Sequence, residues 1–428
     1  MTYEETLNYL YRQMPEYQRI GDRAYKEGLD NSLALDEIFG HPHKRYRTIH
    51  VGGTNGKGST SHLLAAILQK AGYRVGLYTS PHLIDFRERI RVNGAMIEKD
   101  YVVEFVEKYK DKFEPVMPSF FELTMEMAFL WFSLQEVDVA VVEVGLGGRL
   151  DSTNIITPDI SIITNIGFDH MKFLGDTLPK IAAEKAGIIK KHTPVVIGET
   201  DNTEVAQVFI DKAHSVKAPI VFSELYMNDF EAEKKDYGWL FQSGKYPNLK
   251  GELKGMAQDK NARTVLTTVE ALLETGYNIP AEAVYKGFAN VTAITGLMGR
   301  WQQLRTSPEI ICDIAHNAHG LKYVAEQLLL EDYNRLHIVF GMANDKDVDS
   351  VLTLMPQNAV YYFTRASVER ALNEKTLAGY AAAHGLAGYI FPSVSHAVEA
   401  ALKNAGENDL IFIGGSSFIV ADALPLFI

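Results

Sequence analysis

Along the chain, short runs of apolar and mostly β-branched residues alternate with longer stretches in which apolar residues recur every three or four positions. The first pair is Thr48-Ile49-His50-Val51, a glycine-rich turn, and then Thr60 to Lys70, with Leu63, Leu64, Ile67 and Leu68 at helical spacing and Gly72 closing the helix. Val75-Gly76-Leu77-Tyr78 reads as the next strand. Val137 to Val144 and Ile160-Ser161-Ile162-Ile163 are almost wholly apolar, which suits strands buried on both faces of a parallel sheet. Leu178 to Ile189 reads as a helix. The pattern predicts a doubly wound α/β core.

From Ser223 to Lys254 the chain turns polar and aromatic, with Gly238 and Gly244 as turn signals, and predicts a small antiparallel excursion. A helix resumes at Asn261. Thr295-Gly296-Leu297-Met298-Gly299 is the candidate linker. Beyond it strands are expected at Ile310-Ile311-Cys312, His337-Ile338-Val339-Phe340, Val360-Tyr361-Tyr362-Phe363 and Leu410-Ile411-Phe412-Ile413, with helices such as His396 to Lys403 between them. The expected fold class is therefore α/β in two domains, residues 1–295 and 296–428, the second Rossmann-like.

Composition narrows the function. The 428 residues carry 42 Lys and Arg against 54 Asp and Glu, a net charge of −12. Such a surface does not hold a nucleic-acid backbone or an anionic membrane by general electrostatics, so neither is expected as a partner. Any anion must be bound by local devices. The single cysteine, Cys312, excludes an internal disulfide and cysteine-based metal clusters, and its apolar setting reads as a buried strand position. With no basic and apolar leader at the start and no long apolar span, a cytoplasmic setting is expected.

The strongest chemical signal is Gly52-Gly53-Thr54-Asn55-Gly56-Lys57-Gly58-Ser59, between a predicted strand and a predicted helix. Small residues let backbone N–H groups turn around a phosphate, the helix start favours negative charge, and Lys57 supplies a movable cation. The spacing departs from the strict G-x-x-x-x-G-K-[ST] form. A bound nucleotide brings magnesium, which needs hard oxygen ligands. Glu143, ending an apolar strand before Val144-Gly145-Leu146-Gly147-Gly148-Arg149, is the candidate, against a strand-end glutamate facing solvent. His170 reads as a ligand or as a hydrogen-bonded structural histidine, and Ser80 by itself is a turn residue before proline. Lys185 follows Ile181 by four positions and precedes Ile188 by three, so it projects from the apolar face. Either it snorkels to the surface, or burial lowers its pKa and makes its amine nucleophilic. Arg300, Asp313 to Asn317 and Gly341 to Asp347 place polar clusters at strand ends of the second domain, where they would face the phosphate loop across a cleft.

Together these stretches resemble the folylpolyglutamate synthase / dihydrofolate synthase family, a branch of the Mur-ligase superfamily of ATP-dependent amide ligases. The matching segments are Gly53 to Ser59, Thr79-Ser80-Pro81-His82-Leu83, Glu143 to Asp151, Asp169-His170, Glu184-Lys185-Ala186-Gly187 and Asp313-x-Ala315-His316-Asn317. The resemblance implies an ATP-binding Mur-type domain over 1–295 and a glutamate-ligase domain over 296–428. It implies that Asn55, Gly56, Lys57, Gly58 and Ser59 hold the ATP phosphates, with Asn261, Arg300 and Asp313 on the nucleotide. Ser80, Glu143 and His170 would ligate magnesium, and Lys185, carbamylated, would help hold a second ion; potassium is a further candidate cofactor. His316 would lie near the γ-phosphate. Leu29, Asp30, Phe121, Leu150, Asp151 and Ser152 would meet the dihydropteroate or folate. The implied reaction joins L-glutamate to that acid through an acyl phosphate, in a monomer. Two departures are Ala257, where the family commonly has histidine before Gln258, and Ala318, where proline is usual. The alternatives are a cell-wall Mur-type ligase, against which Gly58 and Ser119-Phe120-Phe121-Glu122 argue, and a non-catalytic nucleotide-binding module, which leaves Glu143, His170 and Lys185 without purpose.

Overall fold

The computed structural model describes residues 1–14 and 28–428. The chain divides into two compact units, Met1–Glu252 with Gln258–Leu297, and Leu253–Ala257 with Met298–Ile428. Among the described residues no helix is long and apolar enough to cross a membrane.

The first unit is built on eight strands: β1 (Arg47–Gly52), β2 (Val75–Tyr78), β3 (Ile90–Val92), β4 (Ala95–Met96), β5 (Val139–Glu143), β6 (Ile160–Ile163), β7 (Val195–Ile197) and β8 (Ile220–Phe222). Their order is β4-β3-β2-β5-β1-β6-β7-β8, parallel from β2 to β8, with β3 and β4 added antiparallel at one edge. All residues of β5 and β6 are buried, as expected of strands covered on both faces. After β1 the chain first builds to one side, inserts β5 against β1, and then crosses to β6 on the other side. A sheet that reverses in this way opens a crevice at the carboxyl ends of the strands beside the reversal. The register puts Val51 opposite Glu143 and Gly52 opposite Ile163, so the glycine turn, Glu143 and Thr164 leave the sheet at one edge.

Two helices fix that edge. Lys57–Lys70 starts at Gly56, and everything from Gly58 to Leu68 is buried. Phe120–Leu134 begins with a capping box, in which the Ser119 side chain accepts from Glu122 N and Glu122 returns the bond to Ser119 N. Its Phe120, Leu123, Met127 and Phe129 sit in a core with Phe86, Phe105 and Phe113. The expected antiparallel excursion is a three-stranded sheet of β9 (Glu231–Lys235), β10 (Gly238–Gln242) and β11 (Leu249–Gly251), preceded by a short helix Ser223–Tyr226.

The second unit has β12 (Gln302–Thr306), β13 (Glu309–Cys312), β14 (Leu336–Phe340), β15 (Val360–Phe363), β16 (Gly388–Ile390) and β17 (Leu410–Gly414). The order is β12-β13-β17-β14-β15-β16, parallel except for β12 at the edge. Cys312 is buried at the end of β13, and burial pushes its thiol pKa up, so it is an inert core residue.

Candidate active site

The turn after β1 is held open from outside. Thr54 N donates to Asn165 O at 3.0 Å and Asn55 N to Asn165 Oδ1 at 2.9 Å. The Thr164 hydroxyl donates to Asn55 O at 2.6 Å, and Thr54 Oγ1 exchanges hydrogen bonds with Gly167. Gly56 has φ +81°, and a Cβ there would lie 2.3 Å from Asn261 Oδ1, so only glycine lets the turn enter the helix against Asn261. Asn261 in turn donates to Gln258 Oε1 at 3.0 Å, and Gln258 Nε2 donates to Ser59 Oγ at 3.3 Å. Asn55, Gly56, Ser59 and Asn261 are thus brought together in one corner, Ser59 and Asn261 buried and Asn55 and Gly56 half-buried. Thr164, Asn165 and Gln258 complete it, and sequence reasoning assigned them no role. Their only signal was position: two follow a buried strand, and the third opens a helix beside the unusual Ala257.

Two lysines converge on the same turn. Lys57 Nζ folds back on Gly53 O at 3.2 Å and Thr54 O at 3.1 Å. Lys185 Nζ donates to Gly53 O at 2.8 Å, and its side chain is 4 % exposed, which decides for burial over snorkelling. Its helix ends at Ala186, closed by Gly187, rather than running to Ile189. Burial, with the Lys57 ammonium nearby, lowers the Lys185 pKa to about 7; Asp169 and Asp151 oppose the shift. Burial therefore favours the neutral amine.

Glu143 is buried, not facing solvent, and its Oε2 accepts from Ser80 N at 3.0 Å. Ser80 follows β2, which pairs with β5, so the sheet itself brings the two together. His170 sits half-buried in the left-handed region, φ 50°, with its backbone N–H donating to Asp169 Oδ1 at 2.9 Å. A carboxylate and a hydroxyl suit a hard divalent cation, whereas an imidazole is a borderline donor. Among the described residues no group of three or more His, Cys, Asp and Glu is placed together to hold a metal ion.

The turn after β5 forms the other wall. Phe121 lies across Gly145, where a Cβ would meet its ring at 2.5 Å, and its ring centroid is 5.8 Å from that of Tyr78. Gly148 presses on the Lys185 helix: a Cβ would lie 2.8 Å from Glu184 O and 3.0 Å from Lys185 Cα. Arg149 N donates to Glu184 O at 2.7 Å. Leu150 and Ser152 are half-buried, whereas Asp151 is buried and its carboxylate is committed inside the loop, accepting from Leu146 N at 2.8 Å and Thr153 N at 3.0 Å. Leu29 and Asp30 begin the helix Asp30–Ile38, whose Asn31 reaches Glu122 Oε2 at 3.4 Å, one residue from Phe121.

In the second unit Asp313, just beyond β13, accepts from Trp301 N and Ala315 N, each at 2.8 Å. Burial raises its pKa, while the Ala315 bond and the Arg300 guanidinium oppose the rise. The His316 Nδ1–H donates to Ile314 O at 3.1 Å, which leaves Nε2 as the acceptor in the neutral ring. Arg300, Asp313 and His316 therefore lie at one end of that sheet.

A phosphate-type turn with a buried low-pKa lysine and a strand-end glutamate, followed by a second α/β unit, is the arrangement of Mur-type ATP-dependent ligases. Residues 51–267 match the Mur ligase middle domain, and residues 299–417 match the Mur ligase glutamate ligase domain. A dihydrofolate synthase/folylpolyglutamate synthase of Bacillus subtilis is 33 % identical over 415 residues, covering 93 % of this chain and 94 % of the relative. The structure of E. coli FolC in complex with DHPP and ADP superposes with a TM-score of 0.86 at 29 % identity, covering 100 % of this chain and 97 % of that one. A bifunctional folylpolyglutamate synthase/dihydrofolate synthase with Mn, AMPPNP and L-glutamate bound gives a TM-score of 0.84 at 28 % identity, covering 100 % and 98 %. The chain belongs to the folylpolyglutamate synthase / dihydrofolate synthase family, the ATP-dependent glutamate ligases of folate metabolism.

Proposed function

We propose that this protein joins L-glutamate to dihydropteroate, to folate glutamates, or to both, activating the acceptor carboxyl as an acyl phosphate. The observation that carries the reading is the buried Lys185 amine on Gly53 O, inside the phosphate turn. A turn that only bound nucleotide would have no use for a buried lysine whose pKa burial lowers to about 7.

The residue roles are part of this reading. Asn55 to Ser59 and Asn261 hold the nucleotide phosphates, and Lys57 leaves its own loop carbonyls to follow the transferred group. Arg300 adds positive charge, Asp313 faces the nucleotide, and His316 lies near the γ-phosphate. Residues 1–295 form the ATP-binding domain and 296–428 the glutamate-ligase domain. Ser80, Glu143 and His170 would hold one divalent ion, and Lys185 as a carbamate would help hold another; bound there, magnesium neutralises phosphate charge. Potassium is a further candidate. Leu29, Asp30, Phe121 and Leu150 to Ser152 take the pterin-bearing acid. The acceptor carboxylate attacks the γ-phosphorus and ADP leaves. The glutamate amine then attacks the acyl carbon, and phosphate departs. The active form is a monomer in the cytoplasm.

The test offers dihydropteroate and tetrahydrofolate separately with ATP, magnesium and L-glutamate. Oxygen-18 in the acceptor carboxylate is expected to appear in inorganic phosphate. Label in AMP would sink the acyl-phosphate route, and turnover of neither acceptor would sink the substrate assignment.

A further inference from the structure

We propose that His50 and Thr153 are positioning residues for the Gly145–Ser152 loop, tying it by a buried hydrogen-bond column to the strand that feeds the phosphate turn. The inference rests on the assignment of that loop to the acceptor acid. His50 stands in the middle of β1, fully buried between Ile49 and Val51, and its Nε2 lies 2.8 Å from Thr153 Oγ1. The same hydroxyl reaches Asp151 Oδ1.

The direction of the column follows from counting protons. Burial raises the Asp151 pKa, but its bonds to the Thr153 hydroxyl and to Leu146 N and Thr153 N oppose the rise. With the carboxylate accepting these, the hydroxyl proton of Thr153 goes to Asp151 and the hydroxyl oxygen accepts from His50 Nε2–H. His50 is then a neutral imidazole whose Nδ1 is left without a partner in the core. Burial agrees, lowering the His50 pKa to about 3. An orphaned buried acceptor costs free energy, and a valine or isoleucine would pack this strand without that cost. What the histidine provides in return is one directed bond. Through Thr153 that bond orients Asp151, and Asp151 pins the far side of the loop at Leu146 N. The column thereby fixes the pterin-side wall relative to β1 and the turn that follows it.

The test uses the full-length enzyme. Thr153→Val removes the hydroxyl at nearly constant volume, Thr153→Ser keeps it, and His50→Leu removes the donor. Thr153→Val and His50→Leu are expected to raise KM for dihydropteroate or tetrahydrofolate about ten- to a hundredfold. KM for ATP should stay within about twofold, and Thr153→Ser should recover most of the loss. A Thr153→Val enzyme that still gains thermal stability from ADP, yet shifts both KM values together or neither, overturns the proposal. Asp151→Asn separates it from its foundation. An unchanged acceptor KM in Asp151→Asn removes the loop from acceptor binding and this inference with it, whereas a raised one beside an unchanged Thr153→Val overturns the column alone. If the variants do not fold, imidazole nitrogen NMR of the native protein decides: an Nε2–H tautomer is expected, and an Nδ1–H tautomer refutes the assigned direction.

Discussion

The turns after β1 and β5 leave neighbouring parallel strands at the same edge, and both are rich in glycine, yet they are held by different means. The turn after β1 is anchored from outside, by Thr164, Asn165 and Gly167, and uses Gly56 for a left-handed backbone against Asn261. The turn after β5 is braced within by Asp151, which accepts from Leu146 N, as well as by Arg149 N on Glu184 O, and uses Gly148 for close approach to the Lys185 helix. The outside anchors occupy Thr54 N, Asn55 N and Asn55 O, so they set the shape of the turn up to Gly56, where the helix begins. A loop whose own carboxylate also binds its backbone is braced as a wall. The glycines look alike in sequence and do different work.

The largest expected effect lies where both turns meet the same side chain. Lys185→Ala is predicted to lower kcat by about a hundredfold or more, as for loss of a charge-stabilising group, with partial rescue by short carboxylic acids. Full activity without rescue would remove the lysine from the reaction. Next, Gly56→Ala should weaken ADP binding by about tenfold or more in calorimetry, because a methyl is disfavoured at φ +81° and strikes Asn261. Unchanged affinity would mean that the turn does not bind phosphate in this conformation. Gly148→Ala should do the converse, lowering kcat by about tenfold through displacement of Lys185 while ADP affinity stays near native. Equal loss of both would erase the distinction between the turns.

The smallest effect concerns pH. His50 has a folded pKa of about 3 against an ordinary 6.5, so below 6.5 the unfolded chain takes up a proton that the folded chain refuses. Its contribution to stability is complete above pH 6.5 and is lost as pH falls toward 3, by about 1.4 kcal/mol per unit. Melting curves at pH 7 and pH 5 should therefore show a shallower decline for His50→Leu than for the native protein. Parallel declines would mean that the imidazole is protonated in the fold.

Strands in this protein were legible because both sheets are mostly parallel and covered, which makes each inner strand a continuous apolar run. Val75–Tyr78, Ile160–Ile163 and Val360–Phe363 coincide with the runs that predicted them. Gly388–Ile390, exposed at the edge of its sheet, carries no such run and was not anticipated. The helix expected from Leu178 to Ile189 stops at Ala186 because Gly187 closes against Arg149, a contact with no local signal.

The sequence by itself determined the inner strands and their following helices, where the glycine turns fall, and the membership of Lys57, Glu143, Lys185 and Asp313 in a ligase pattern. Periodicity and spacing are local properties, and a motif is a local string. Only the tertiary structure decided that Lys185 is buried on Gly53 rather than snorkelling, that Glu143 faces Ser80 rather than solvent, and that Asp151 spends its carboxylate on its own loop. Burial and hydrogen-bond partners depend on what packs from distant parts of the chain. His50 shows the limit most clearly, since its one partner lies 103 positions away.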